Sequence, residues 1–172
     1  MKGKVIKEVF SWIMVVAVAF ALAFIVTHFV IIKAEVPTGS MKDTIQIDDR
    51  LIGFRLAYLF SDPERGDIVI FEFPDNEEEI YIKRVIGLPG ETVEIVDGLL
   101  YIDDKLYAED YVREKVVGSF GPYKVPEDCY FMMGDNRNHS WDSRYWENTF
   151  VKKEKILGKA WLRYAPSFEV LE

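Results

Sequence analysis

A single cysteine, Cys129, stands among the 172 residues, which excludes an intramolecular disulfide and a cysteine-based zinc site. Histidine is almost as scarce. His28 lies inside an apolar run and His139 is the only other one, so the usual ligand types form no cluster, and neither metal nor other cofactor is expected. A basic patch is missing as well: the formal net charge is −8, and phosphate recognition needs concentrated positive charge, so nucleic acid is not an expected partner. Repeats and low-complexity tracts are absent. The residues after Cys129, Tyr130-Phe131-Met132-Met133, read as a buried strand, which makes the cysteine a core thiol.

Charge is wholly absent from residues 10–32, where only Ser11, Thr27 and His28 interrupt the apolar side chains. As a helix at about 1.5 Å per residue this run spans roughly 35 Å, enough to cross a bilayer. A cleavable signal peptide competes, but its apolar core would be about 7–15 residues long and would end in small side chains. Here the run continues through Phe29-Val30-Ile31-Ile32 into Lys33, so it reads as an uncleaved anchor. Lys2, Lys4 and Lys7 ahead of it favour a cytoplasmic N-terminus and place the chain from Lys33 onward on the outer face. His28 reads as a polar group snorkelling near the interface. The expected division is a cytoplasmic N-terminus over 1–9, an anchor over 10–32 and an extracytoplasmic catalytic domain over 33–172. The first 32 residues carry three lysines against Glu8, a local +2, which leaves −10 on the remainder.

Beyond the anchor the chain alternates short β-rich runs with turn signals. Residues 46–60 read as a strand followed by the apolar segment Leu56-Ala57-Tyr58-Leu59-Phe60, which either packs in the core or touches lipid. Strands follow over 67–73, 80–86, 91–96 and 99–102, the last two joined by the hairpin dipeptide Asp97-Gly98. Glu77-Glu78-Glu79 reads as a solvated face. Residues 103–128 are more polar and carry Gly118, Gly121, Pro122 and Pro126, so an extended loop or small insertion is expected there. Strand character resumes at 129–133 and again at 159–164. The predicted fold is mostly β: one N-terminal transmembrane helix followed by a β-rich barrel-like or sandwich domain.

Two residues are candidates for chemistry. In Val36-Pro37-Thr38-Gly39-Ser40-Met41, Pro37 restricts and Gly39 releases the backbone, so Ser40 sits on an irregular turn with a reachable hydroxyl. On its own the motif reads as an ordinary turn. Lys83 interrupts an otherwise interior strand, with Tyr81, Lys83 and Val85 on one face and Ile82, Arg84 and Ile86 on the other. A polar strand face would explain it blandly. The alternative is a general base, because burial disfavours the ammonium and can bring a lysine from about 10.4 toward neutrality. A serine paired with such a lysine needs no histidine.

A third segment, Met133-Gly134-Asp135-Asn136-Arg137-Asn138-His139-Ser140-Trp141-Asp142-Ser143-Arg144, concentrates hydrogen-bonding groups directly after an apolar strand, where each partly buried one needs a partner. Four segments in order, Thr38-Gly39-Ser40-Met41, Arg65-Gly66-Asp67-Ile68-Val69, Tyr81-Ile82-Lys83-Arg84-Val85-Ile86-Gly87-Leu88-Pro89-Gly90 and Gly134-Asp135-Asn136-Arg137 with Ser140, Asp142, Ser143 and Arg144, resemble the bacterial type I signal peptidases. These are membrane-anchored serine proteases with a serine and lysine dyad. The resemblance covers nearly the whole chain.

The resemblance implies a serine endopeptidase that removes signal peptides from exported preproteins at Ala-x-Ala-like sites, at the outer face of the cytoplasmic membrane and in contact with its lipid. Ser40 would be the nucleophile and Lys83 the general base. The Ser40 N–H and the Thr38 hydroxyl would form the oxyanion hole. Ser140 would hydrogen-bond the lysine amine, Asp142 and Arg144 would pair, and Arg84 and Asp135 would brace the same wall. Substrate preference for small residues suggests shallow apolar pockets, with Met41 and Ile45 as lining. Asp43 departs from the proline usual in the family and puts a negative charge near the site. Ser40 lies 8 residues past the predicted anchor, which keeps it within roughly 30 Å of the bilayer. Two other readings stand beside this one: a hydrolase using His139 with Ser40 and Asp142, and a non-catalytic anchored β-domain that binds an extracytoplasmic partner.

Overall fold

The computed structural model describes residues 2–171, with side chains from Lys7 onward. A helix, α1 (Lys2–Ile25), passes into a single π-helical turn at Val26–Val30. Over Lys7–Val30 it is long and apolar enough to cross a membrane, and none of that stretch is buried in the protein. Thr27 Oγ1 donates to Ala23 O at 2.8 Å and His28 Nδ1 lies 3.1 Å from Phe24 O, so helix carbonyls satisfy both polar side chains. The apolar run outlasts the helix: Ile31 and Ile32 open the first strand.

The strands are β1 (Ile31–Glu35), β2 (Arg50–Phe54), β3 (Ile68–Phe73), β4 (Asn76–Gly87), β5 (Thr92–Val96), β6 (Leu99–Ile102), β7 (Lys105–Leu106), β8 (Phe120–Lys124), β9 (Cys129–Met133), β10 (Val151–Lys152), β11 (Ile156–Ala165) and β12 (Glu169–Val170). A large antiparallel sheet runs β1-β2-β11-β3-β4-β9-β10, with β12 added to β11; a small one runs β7-β6-β5-β8. Four consecutive residues of β3, Ile68 to Phe71, are 0–2% exposed. Such a run belongs to a strand covered on both faces. Ile68 and Ile70 pack with Val36, Met41, Ile45 and Leu51, while Val69 and Phe71 pack with Val85, Tyr130, Met132 and Trp146. The period of two thus sends neighbouring residues of one strand into two different clusters.

A third cluster joins the sheets through Ile86 and Phe131 of the large one and Val93, Ile95 and Leu100 of the small one. The β5–β6 hairpin turns on Asp97 and Gly98, with φ of 50° and 78°, the doubly positive geometry of a tight two-residue turn. Asp103 and Asp104 turn β6 into β7 in the same way, with φ of 47° and 63°. The 103–128 segment, expected as a loop or small insertion, therefore supplies two of the small sheet's four strands, β7 and β8. The 56–60 segment divides. Tyr58 packs against the Val69 cluster, whereas Leu59 is 62% and Phe60 96% exposed.

Candidate active site

Ser40 lies in the connection between β1 and β2, and that connection is tied at both ends. Val36 N donates to Asp49 O and Asp48 N to Val36 O, while Met41 and Ile45 plug the core with 1% and 0% exposure. The tip is held from across the molecule: Asn136 N donates to Ser40 O at 3.1 Å and Asn136 Nδ2 to Gly39 O at 2.9 Å. A turn this constrained presents its hydroxyl in one direction.

That direction leads to Lys83. Its Nζ stands 2.5 Å from Ser40 Oγ, and both side chains belong to buried residues. Register on β4 sets Lys83 opposite Val69 and Tyr81 opposite Phe71, so the lysine runs along the aromatic side of the strand, with Nζ 5.5 Å from the Tyr81 ring centroid. Burial pushes the amine down to about 8, although Asp142 and Asp135 pull the other way. Desolvation disfavours the ammonium more than the two carboxylates favour it. An amine in that range both takes and returns a proton near neutral pH.

The Thr38 hydroxyl donates to Ser40 Oγ at 3.4 Å. Among the described residues the Ser40 N–H has no hydrogen-bond acceptor, which leaves two donors beside the nucleophile. Ser140 is placed differently from expectation. It is buried, and its Oγ has no hydrogen-bond partner among the described residues, so the expected bond to Lys83 is not formed. It crowds Gly134 instead: a Cβ on Gly134 would come within 2.3 Å of both Ser140 Oγ and Ser40 O. Only glycine lets these chains meet.

Two buried ion pairs flank the dyad. Arg84 grips Asp135 through Nε at 2.9 Å and a terminal nitrogen at 2.7 Å, and Asp135 accepts from Thr44 Oγ1 at 2.6 Å. Arg144 holds Asp142 through two bonds of 2.8 Å, and Asp142 accepts from Gly134 N at 3.1 Å. With Asp142 so engaged, His139 lacks the carboxylate partner of a triad: it is exposed and makes no side-chain hydrogen bond among the described residues. Asn136 and Thr44, which sequence reasoning left unassigned, hold the serine loop directly. The density of polar residues after Met133 already marked Asn136 as needing a partner, whereas nothing in the spacing tied Thr44 to Asp135, 91 residues away.

Asp43 adopts φ +88°, which proline cannot reach. Its carboxylate faces Arg113 at 3.8 Å, with both side chains largely in solvent. Beside Ser40 opens a groove of about 740 Å³ between β1 and the first half of β4, lined by Met41 and Ile45 as the sequence suggested, with His139 and Trp141 at one side. Trp141 is 57% exposed and stacks on Tyr145 at 5.4 Å. Among the described residues no group of three or more His, Cys, Asp and Glu is arranged to hold a metal.

The fold and comparisons with known proteins agree on the class, a serine endopeptidase. The signal peptidase, peptidase S26, family profile matches residues 9–165. Over 158 residues the chain is 43% identical to a probable signal peptidase I-2 of Synechocystis, covering 89% of this chain and 71% of that protein. Over 173 residues it is 36% identical to a signal peptidase I of Bacillus licheniformis, with 95% and 92% covered. A crystal structure of a signal peptidase I from Enterococcus faecalis superposes with a TM-score of 0.51 at 38% identity, covering 58% of this chain and 97% of that one. The chain belongs to the signal peptidase family. That sets aside the non-catalytic reading and makes preproteins its general class of substrate.

Proposed function

We propose that this enzyme removes signal peptides at Ala-x-Ala-like sites by a serine and lysine mechanism. The observation that carries the reading is the 2.5 Å approach of Lys83 Nζ to Ser40 Oγ in a buried setting. Neutral Lys83 takes the hydroxyl proton as Ser40 Oγ attacks the scissile carbonyl. The resulting oxyanion is met by the Ser40 N–H and the Thr38 hydroxyl. As the C–N bond breaks, Lys83 returns the proton to the leaving amine, and the acyl group stays on Ser40. A water then gives a proton to Lys83 and attacks the ester, and as the bond to Ser40 Oγ breaks Lys83 passes that proton to the serine and the acid product leaves. Ser140, whose hydroxyl is unpartnered beside the same loop, is free to accept from the lysine once Ser40 is acylated. Arg84, Asp135, Asp142 and Arg144 hold the surrounding wall.

We place the catalytic domain on the outer face of the cytoplasmic membrane, with α1 as a single anchor and Lys2, Lys4 and Lys7 inside. The groove begins at Ile32, two residues past the π-helical turn, so chain connectivity alone keeps it at the interface. Exposed Leu59, Phe60 and Trp161 offer lipid contact near the helix end, where Arg55 Nε donates to Ile31 O at 3.2 Å. A substrate held by its own apolar segment then meets the site with little search. Full-length protein in detergent is expected to cut a preprotein at its Ala-x-Ala site, and the Lys83→Ala variant to be inactive while His139→Ala keeps its rate. Full activity of Lys83→Ala would falsify the mechanism.

A further inference from the structure

From the geometry around Arg84 we infer that Glu109 and Tyr111, in the connection between β7 and β8, are positioning residues for proteolysis. They lock both arms of the scaffold that aims the Ser40 loop. This rests on the roles of Ser40 and Lys83 proposed above.

Glu109 is a carboxylate whose side chain is only 7% exposed, and it grips Arg137, 1% exposed, through bonds of 2.5 and 2.6 Å. Burying such a pair costs desolvation that a surface loop has no need to incur for its own folding. Arg137 Nε donates to Gly134 O at 3.0 Å, so the pair fixes the turn on which Asn136 reaches the carbonyls of Gly39 and Ser40. That is the first arm. The Tyr111 hydroxyl donates to Glu109 Oε1 at 2.6 Å, and its ring lies 4.0 Å from the Arg84 guanidinium. A cation over an aromatic face is held in orientation as well as attracted. Arg84 in turn carries Asp135, which carries Thr44, four residues beyond the nucleophile. That is the second arm. The same connection also touches the serine loop directly through Arg113 and Asp43. A segment that contributes no residue to the groove thus braces the nucleophile along separate routes.

The test uses full-length protein in detergent, with kcat and KM on a preprotein substrate, single-turnover rates for slow variants, and thermal melting to score folding. Removing the ring in Tyr111→Leu is expected to lower kcat about tenfold with KM unchanged, since small displacements of a reacting group are costly in rate. Tyr111→Phe, which keeps the ring over Arg84, should restore most of that loss. In an Arg84→Gln background Tyr111→Leu should cost less than about twofold more, because its route is already cut. Should Tyr111→Leu fail to fold, the isosteric Glu109→Gln carries the test, with kcat again expected to fall and KM to hold. A wild-type kcat in the folded variants, a rise in KM alone, or a full loss persisting without Arg84 would overturn the inference. Lys83→Ala is run alongside. If it is active, the mechanism fails; if it is inactive and Tyr111→Leu is normal, only the positioning role fails.

Discussion

Replacing Lys83 by methionine should abolish proteolysis and make the protein more stable. Burial brings the amine from 10.5 down to about 8, net of the favourable pull from Asp142 and Asp135. At about 1.4 kcal/mol per pKa unit, holding the ammonium in the folded protein at pH 7 costs about 3 kcal/mol relative to the unfolded chain. Methionine has a similar shape and no charge. It forfeits the contact with Ser40 Oγ, worth about 1 kcal/mol, which leaves a gain of about 2 kcal/mol and a rise in Tm of about 4–8 °C for a chain of this size. The pH dependence identifies the cause. Between the folded value of about 8 and the unfolded value of 10.5 the unfolded chain binds the extra proton, so wild-type stability rises with pH across that window. The advantage of Lys83→Met should therefore be constant below pH 8 and fade toward pH 10.5. Thermal melts of both proteins in detergent from pH 6 to about 10 read this out. A variant that melts at or below the wild type at pH 7, with a pH-independent difference, would refute the picture of a desolvated base.

Three further outcomes follow from the same geometry. The rate at subsaturating preprotein should climb with pH through an acid limb near 8, because only the neutral amine accepts the Ser40 proton; a profile flat from pH 6 to about 9 would exclude Lys83 as the titrating base. Thr38→Val should lower kcat by about 10²–10³ with little change in KM, as loss of one oxyanion donor does elsewhere; steady-state kinetics on a preprotein peptide decide it, and an unchanged kcat removes Thr38 from the oxyanion hole. Asp43→Gly should be tolerated, while Asp43→Pro should reduce both Tm and activity, because φ +88° is outside proline's range; a fully active proline variant would mean that the loop readily refolds around it.

How far the sequence led depended on the range of the interaction concerned. The strands at 68–73, 92–96 and 99–102 were legible because β-branched runs and the Asp97-Gly98 turn act locally. The serine and lysine each had a bland local reading and became candidates only together with the polar segment after Met133; the Asp142 and Arg144 pair came through family resemblance, whereas Arg84 and Asp135 were expected only to brace the same wall, and their pairing emerged from the structure. What remained hidden was long-range. Glu109 and Tyr111 sit in a segment whose polar composition reads as loop, and their partner Arg137 lies 28 residues away from Glu109. β8 carries Gly121 and Pro122, with Gly118 just ahead of it, which argue against a strand until its pairing with β5 is seen. Ser140 was assigned to Lys83, yet its hydroxyl is turned into the close approach at Gly134, a packing constraint invisible to spacing.

The two buried ion pairs beside the dyad are better explained by charge than by stability. Arg144 and Asp142 are fully buried, and Arg84 and Asp135 nearly so, and such pairs return little net folding energy once desolvation is counted. Their effect is felt at Lys83, where Asp142 and Asp135 favour the ammonium without overcoming its burial. With each carboxylate gripped at both oxygens by an arginine, the pair presents a dipole whose field falls off faster than that of a charge. Asp135 thereby holds Thr44, and Asp142 the Gly134 turn, while burial still decides the direction at Lys83. The arginines let acidic groups build the wall of a site that, on the mechanism proposed above, requires an uncharged lysine.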